Sequence, residues 1–354
     1  MPHFARIGLL AGTRDDVVAG QPLGLVHEKD AVGRSGRRFW HSSIIAVNSL
    51  TPYPRVQNSV LGRPRLSFVQ QDIIDWYEAN GRDLPWRQPD FTPWGALVSE
   101  FMLQQTPVAR VIPRLEEWLD RWPTPASLAA VPAGDAVRAW ANLGYPRRAL
   151  WLHACAVKIV REYGGVVPSE VEALLGLPGV GSYTARAVAV FMFGAHEPVV
   201  DTNIRRVIAR HTLGQAEPGP PREKSDLEAM RALLPAPALS PAFNIGVMEL
   251  GALICTARSP RCEVCPISAT CAWRASGYPA HDGPKKARQK KYEGSDRQAR
   301  GALLAALRAS ASPLSPASLD QAWPDAAQRG RAVAGLLSDG LIELSDQGLF
   351  GLPR

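Results

Sequence analysis

The chain lacks any apolar run near the ~18 residues that a helix needs to cross a bilayer, which excludes a membrane-spanning helix as the basis of its function. It also lacks a recognisable secretory leader. The short stretch Ile7-Gly-Leu-Leu-Ala-Gly12 follows Arg6 but has no clear cleavage site, so no export is expected. Stretches of alternating polar and apolar residues are missing, which argues against a strand-built body. Cysteine is scarce, five residues in 354, and four of the five crowd into one short segment while Cys155 stands alone. That distribution does not describe the disulfide framework of a secreted domain. Methionine is absent between Met1 and Met102, so Val47 or Val60 offers the position of an alternative start codon.

What is present is ordinary in bulk and specific in detail. A length of 354 residues provides for two or three domains with proper cores, and 46% hydrophobic residues is normal for a water-soluble globular chain. The net charge of +7 and pI near 9.3 suit a polyanionic partner, although a solvated basic surface gives the same count.

The segment 1–64 is polar and glycine-rich without a sustained period, and it reads as disordered or as an upstream extension. From about Leu66 the hydrophobic period becomes helical. It predicts helices over Phe68–Ala79, Trp94–Gln105, Val111–Arg121, Ala136–Leu143, Arg148–Tyr163, Ser169–Leu175 and Ala185–Phe193, then another through about His211. The fold class expected is all-α.

The cysteines fall in the array Cys255-x6-Cys262-x2-Cys265-x5-Cys271. Thiolates this close repel one another unless a soft metal neutralises them. Zinc modules usually pair two CxxC knuckles or recruit histidine; here there is one CxxC and no histidine between Cys255 and Cys271. A [4Fe–4S] cluster fits better.

Leu177-Pro-Gly-Val-Gly-Ser-Tyr-Thr184 separates two apolar helices. Gly179, Val180 and Gly181 allow a tight turn whose N–H groups open the next helix, a place that binds phosphate without reading sequence. A plain αα-hairpin turn is the alternative. Asp201, in Val199-Val-Asp-Thr-Asn203, stands where a helix cap belongs, and a carboxylate there can also stabilise a developing cation. Glu100 is flanked by apolar residues in Gly95–Leu103. It is either an ordinary surface glutamate or a desolvated one with a raised pKa, which is what a general acid near neutral pH requires.

Taken in order, Asn80-Gly-Arg-Asp-Leu-Pro-Trp-Arg87, Ser99–Val108, Leu143-Gly-Tyr145, Leu177–Thr184, Val200–Asn203 and the four-cysteine array closely resemble the MutY-type adenine DNA glycosylases, members of the helix-hairpin-helix superfamily that carry an iron–sulfur cluster. The resemblance spans roughly Leu66–Ala275. It implies a two-lobed helical body that flips a mispaired adenine out of double-stranded DNA and hydrolyses its glycosidic bond opposite 8-oxoguanine or guanine. It further implies that Glu100 protonates the base, that Asp201 stabilises the oxocarbenium-like sugar, and that Tyr183 and Asn203 line that sugar. Arg82, Leu84, Trp86 and Arg87 match the adenine-pocket segment, and Gln104, Gln105 and Thr106 match residues inserted near the lesion pair. A tyrosine at position 183, where strand-cleaving relatives have lysine, removes the Schiff-base nucleophile and implies a monofunctional enzyme. The expected protein is monomeric, cytoplasmic and associated with the nucleoid.

Two departures from the family pattern stand out. Ile245 occupies a position where bacterial members often carry a Glu or Gln that contacts adenine. No Nudix-like C-terminal domain with a Phe-Ser-His loop is recognisable. Instead, a glycosylase domain over 65–280 is followed by a basic linker over 281–296 and a compact module over 297–354. Helical patterns at Arg297–Arg308, Pro316–Ala322 and Asp325–Ser338, with a hairpin of Leu341–Leu344 and Leu349–Leu352, suggest a winged helix in which Gln328, Arg329 and Arg331 face either a DNA groove or water. Two rival functions are a thymine glycosylase acting on T·G mismatches, and a non-enzymatic DNA-binding sensor built on the cluster.

Overall fold

The computed structural model describes residues 68–283 and 291–354, and the expectations for residues 1–64 and for residues 284–290 of the basic linker lie outside the described residues. The chain runs through α1 (Phe68–Asn80), α2 (Pro93–Leu103), α3 (Val108–Arg121), α4 (Pro125–Ala129), α5 (Ala133–Ala139), α6 (Arg147–Tyr163), α7 (Val171–Leu175), α8 (Ser182–Phe193), α9 (Thr202–His211), α10 (Glu223–Arg231) and α11 (Ser240–Leu253). After α12 (Ala272–Ala275) come α13 (Asp296–Ala309), α14 (Pro316–Ala322) and α15 (Ala326–Ser338), then the short strands β1 (Glu343–Leu344) and β2 (Phe350–Gly351). No helix among the described residues is long and apolar enough to cross a membrane.

Two cores organise these elements. Helix α2 is buried over Trp94–Met102 and forms the centre of the first core, together with α3, α5, α6 and α8. It starts sharply because Thr92 Oγ1 accepts from Gly95 N at 3.0 Å and Pro93 takes the first helical position, where its missing N–H costs nothing. Helix α3 shows the amphipathic spacing expected of a half-exposed helix, burying Val111, Leu115 and Trp118 on one face. The second core joins Ile73 and Ile74 of α1 to Ile204, Val207 and Ile208 of α9 and to Phe243, Val247 and Leu250 of α11, so the first described helix packs with the later ones. A small cluster of Ala187, Val190 and Val199, flanked by Tyr183 and Met248, joins α8 to the strand-like segment ahead of α9.

Helix boundaries differ from the sequence expectation where local chemistry intervenes. The pattern through Gln105 continues past the true end of α2 at Leu103, because Gln105 adopts φ 55°, a left-handed conformation no helix contains. The helix expected over Ala136–Leu143 begins earlier, at Ala133, and ends at Ala139, with Ala141 also left-handed. Helix α11 has little amphipathic signal because both its faces are covered: Asn244 and Glu249 are as buried as Phe243 and Leu250.

The C-terminal segment contains three helices and a minimal hairpin in which Glu343 pairs with Gly351 and Leu344 with Phe350, extended by a bridge from Leu314 to Phe350. Its core is not separate. Ala299, Leu303, Leu304, Leu307, Leu336 and Leu341 belong to the same apolar cluster as Trp118 and Leu152. Polar contacts reinforce the union: Gly134 N donates to Pro353 O at 2.7 Å, Arg138 to Ser310 O at 2.9 Å, and Arg308 Nε to Val137 O at 3.0 Å.

Candidate active site

Glu100 sits three residues from the end of the buried helix α2 and is itself buried. Burial pushes its carboxyl up to about 7; a hydrogen bond from Tyr183 opposes this, and the nearby charge of Asp201 adds to the rise. Tyr183, in the first turn of α8, is in turn held neutral by burial and by the two carboxylates. The structure therefore brings together three groups that sequence places up to a hundred residues apart.

Asp201 caps α9, its Oδ1 accepting from Ile204 N at 2.7 Å and its Oδ2 from Asn203 Nδ2 at 2.8 Å. Burial raises its pKa, while these two donors and the Arg206 charge oppose the rise. Asn203 Oδ1 accepts from Arg206 Nη2 at 2.7 Å, and Arg206 Nε donates to the carbonyl of Cys255 at 2.7 Å. Helices α9 and α11 approach closely enough for this because Gly251 lies against Asn203; a Cβ there would meet Asn203 Cβ at 2.7 Å.

The segment Pro85–Arg87 forms a 3₁₀ turn beside α2, with Leu84 buried and Trp86 packed against the first core. Arg82 and Arg87 converge on Glu249 of α11, a residue the sequence reading passed over. Glu249 Oε1 and Oε2 accept from Arg82 Nε and Nη2, each at 2.8 Å, and Oε2 also accepts from Arg87 Nη2 at 2.8 Å. Burial would raise its pKa, but the hydrogen bonds from the two arginines prevail and hold it at about 2. An acidic residue within an apolar helix pattern was the available signal. Ile245, one turn earlier, is half-buried.

The glycine turn between α7 and α8 needs its glycines for packing as well as shape. Gly179 has φ 76°, and a Cβ there would lie 2.6 Å from Trp151 Cβ and 2.8 Å from Phe101. Val180 is buried, whereas around the Cβ direction of Gly181 nothing lies within 4 Å. No side chain caps α8 at Gly181, in contrast to Thr92 on α2 and Asp201 on α9. The end of this helix is thus free of side-chain competition for an anion.

Gln104, Gln105 and Thr106 form the turn that ends α2, with Gln105 exposed and Thr106 buried. Thr106 Oγ1 accepts from Arg148 Nη2 at 3.1 Å.

Cys255, Cys262, Cys265 and Cys271 line one pocket between α9 and α11, with Arg210, Ile254, Ile267 and Trp273 completing its walls. Arg210 places Nη1 3.5 Å from Cys255 Sγ and donates to Thr256 O at 2.7 Å, putting a cation against the thiolate set. Four soft donors in a pocket walled by Val207, Leu250, Ile254 and Ile267, with Arg210 and Arg274 beside them, fit an iron–sulfur cluster.

In the C-terminal segment the three polar residues singled out by sequence are engaged internally. Gln328 Nε2 donates to Gly294 O at 2.9 Å, Arg329 pairs with Asp320 at 2.7 Å, and Arg331 pairs with Asp296 at 3.1 Å.

Comparison with known proteins accords with this geometry. The family described as HhH-GPD superfamily base excision DNA repair protein matches residues 98–232, and the iron–sulfur binding domain of endonuclease III matches residues 255–271. A thermostable thymine-DNA glycosylase of known structure shares 29% identity over 59% of this chain and 95% of its own, with a TM-score of 0.54. An endonuclease III–DNA complex, at 21% identity and a TM-score of 0.51 over 60% of this chain and 99% of its own, has the same fold. Two apolar helical cores, a buried acid on α2 of the first and a four-cysteine pocket beside α9 and α11 of the second, with these family matches, make this a helix-hairpin-helix DNA glycosylase with a [4Fe–4S] cofactor. Within that class the sequence is 50% identical, over 303 residues covering 85% of this chain and 98% of the relative, to the adenine DNA glycosylase of Mycobacterium tuberculosis H37Rv. It is 40% identical over 210 residues to the human adenine DNA glycosylase, covering 57% of this chain and 38% of that one. The chain belongs to the adenine DNA glycosylase family.

Proposed function

We propose that this enzyme removes adenine mispaired with 8-oxoguanine or guanine in double-stranded DNA, by hydrolysis alone and without cutting the strand. The observation that carries the reading is the buried carboxyl of Glu100, raised to about 7 so that a large share stays protonated near neutral pH, next to the second carboxylate, Asp201. Glycosidic cleavage asks for one acid and one anion, and their environments separate the two roles. Glu100 delivers a proton to the flipped adenine and makes it a neutral leaving group. Asp201, held by Ile204 N and Asn203, faces the sugar as positive charge develops there. Tyr183 relays no amine chemistry, so no Schiff base forms with the abasic product.

Arg82, Leu84, Trp86 and Arg87 shape the adenine pocket, Gln104–Thr106 enter the duplex beside the lesion pair, and Gly179–Gly181 hold a backbone phosphate at the start of α8. Cys255, Cys262, Cys265 and Cys271 would hold the cluster, which would anchor the loop 255–271 when bound. Residues 65–280 form the catalytic domain, and 297–354 form a winged-helix-like module braced against it. The enzyme works as a monomer on chromosomal DNA in the cytoplasm. The similarity to a thymine-DNA glycosylase structure favours T·G excision as the second reading.

A single-turnover assay on duplexes bearing A·8-oxoguanine, A·G, T·G and A·T, each divided with and without alkali, tests both. Scission of the adenine strand only after alkali, fastest opposite 8-oxoguanine, supports the first reading. Preferential attack on T·G supports the second, and binding without excision rejects enzymatic function.

A further inference from the structure

Arg148 is a buried charge that neither the acidic pair nor the cysteine loop employs. Its guanidinium donates to Phe101 O at 2.8 Å, to Met102 O at 3.3 Å and to Gln104 O. These carbonyls lie at the end of α2, where a helix leaves orphan acceptors and favours a cation. The same group reaches Thr106 Oγ1 and Gly144 O, each at 3.1 Å, and Tyr145 O at 3.4 Å. Its carbon lies 5.3 Å from the ring centres of both Trp140 and Tyr145.

These partners bracket two strained positions. Gln105 has φ 55° and Tyr145 has φ 47°, conformations that side chains other than glycine rarely adopt. Both side chains are exposed, Tyr145 to 55%, so their own burial does not hold them there. Strain of this kind persists where surrounding contacts over-determine the backbone. Arg148 provides such contacts on both sides of Gln105, through Gln104 O and Thr106 Oγ1, and again around Tyr145, through Gly144 O and Tyr145 O.

We propose that Arg148 is a positioning residue that locks Gln105 and Tyr145 into one two-pronged wedge and ties that wedge to the end of the helix carrying Glu100. The inference rests on the reading that Gln104–Thr106 enter the duplex. Opening of the base stack and delivery of the extruded base to the acid are then coupled through one guanidinium. An adenine that is already unstacked has little need of the wedge, and this separates a positioning role from a general structural one.

The test compares single-turnover excision by cluster-loaded wild type, Arg148→Lys and Arg148→Met on two substrates. One is the A·8-oxoguanine duplex; the other carries the same adenine as a single-nucleotide bulge. Arg148→Met is expected to lose about a hundredfold on the paired duplex, the scale of an ångström-sized misplacement, and to stay within about threefold of wild type on the bulge. Arg148→Lys should show a smaller loss, again confined to the paired duplex. That conservative variant carries the test if Arg148→Met does not fold. Equal losses on both substrates, or wild-type rates on the paired duplex, overturn the proposal. A wild-type enzyme that excises adenine from neither substrate instead overturns the adenine reading on which it stands.

Discussion

Arg82 and Glu249 lie 167 residues apart and meet in a two-pronged ion pair, both N···O distances being 2.8 Å, with the carboxylate wholly buried. Arg87 closes on the same carboxylate from the other side. The loop between α1 and α2 is therefore fixed by a helix of the second core, and two guanidinium groups share a single carboxylate. Removing it should be costly: Glu249→Gln is expected to lower unfolding stability by about 3 kcal/mol, as for other broken buried pairs, and to slow excision. Chemical denaturation followed by the glycosylase assay checks both; unchanged stability would show that the arginines find other partners.

Glu100 makes a distinctive contribution to stability. Its carboxyl titrates at about 7 in the folded chain against an ordinary value of 4.5. Between these pH values the unfolded chain releases a proton that the folded one keeps, so stability falls as pH rises through this window and stays reduced above it. Glu100→Gln should be more stable than wild type at pH 8 by on the order of 2–3 kcal/mol, an advantage that vanishes by about pH 4.5. The same variant should lose about 10²–10⁴-fold in excision rate. Wild-type single-turnover rates should decline above about pH 7, as the acid ionises. Melting curves and rates measured across pH decide the matter.

Asp201 serves as both cap and charge, and one substitution separates the two. Asparagine caps a helix as well as aspartate does, so Asp201→Asn should change stability by less than about 1 kcal/mol. Loss of the anion that faces the reacting sugar should still reduce excision by on the order of 10²-fold or more. A variant that melts normally and excises normally would leave Asp201 a cap alone.

The cysteine loop is tied to α9 by Arg206 at Cys255 O and by Arg210 at Thr256 O, so its order and that of Asn203 are linked. Cys262→Ser should reduce the visible absorbance of the cluster and weaken binding to a mispaired duplex by about tenfold or more, about 1.4 kcal/mol. Wild-type affinity in protein lacking that absorbance would reject a positioning role for the cluster.

A chain ending before Asp296 should be a poor enzyme for a physical reason unrelated to DNA. Leu303, Leu304 and Leu307 complete the core that contains Trp118, and Arg138 loses its carbonyl partners at Arg308 and Ser310. We expect its melting temperature to drop by about 10 °C or more. A truncated protein that melts like the full chain would show that the first core closes without its C-terminal helices.

How much of this was legible beforehand differs from residue to residue. The cysteine spacing declared a cluster because four thiols within one short segment are a local constraint. The apolar surroundings of Glu100 left a surface glutamate and a desolvated acid both open, and the burial of α2 over Trp94–Met102 decided for the second. Arg148 was missed because a single charged residue in an amphipathic helix looks like a surface position until its distant partners are seen, and Glu249, though set in an apolar pattern, had no visible partner before Arg82 and Arg87 were brought to it. The boundaries of α2 and α5 slipped because positive φ angles at Gln105 and Ala141 leave no mark in hydrophobic period.

By itself, then, the sequence determined the helical class, the metal-binding loop, the turn glycines and the family pattern, all of which rest on spacing along the chain. Only the tertiary structure decided that Tyr183 and Asp201 share the burial of Glu100, that Arg82 and Arg87 share one carboxylate, and that the C-terminal helices join the first core. Those are relations between segments up to 219 residues apart, from Gly134 to Pro353. Burial and charge pairing across such separations depend on which faces the packed helices turn towards one another, and no local pattern encodes that.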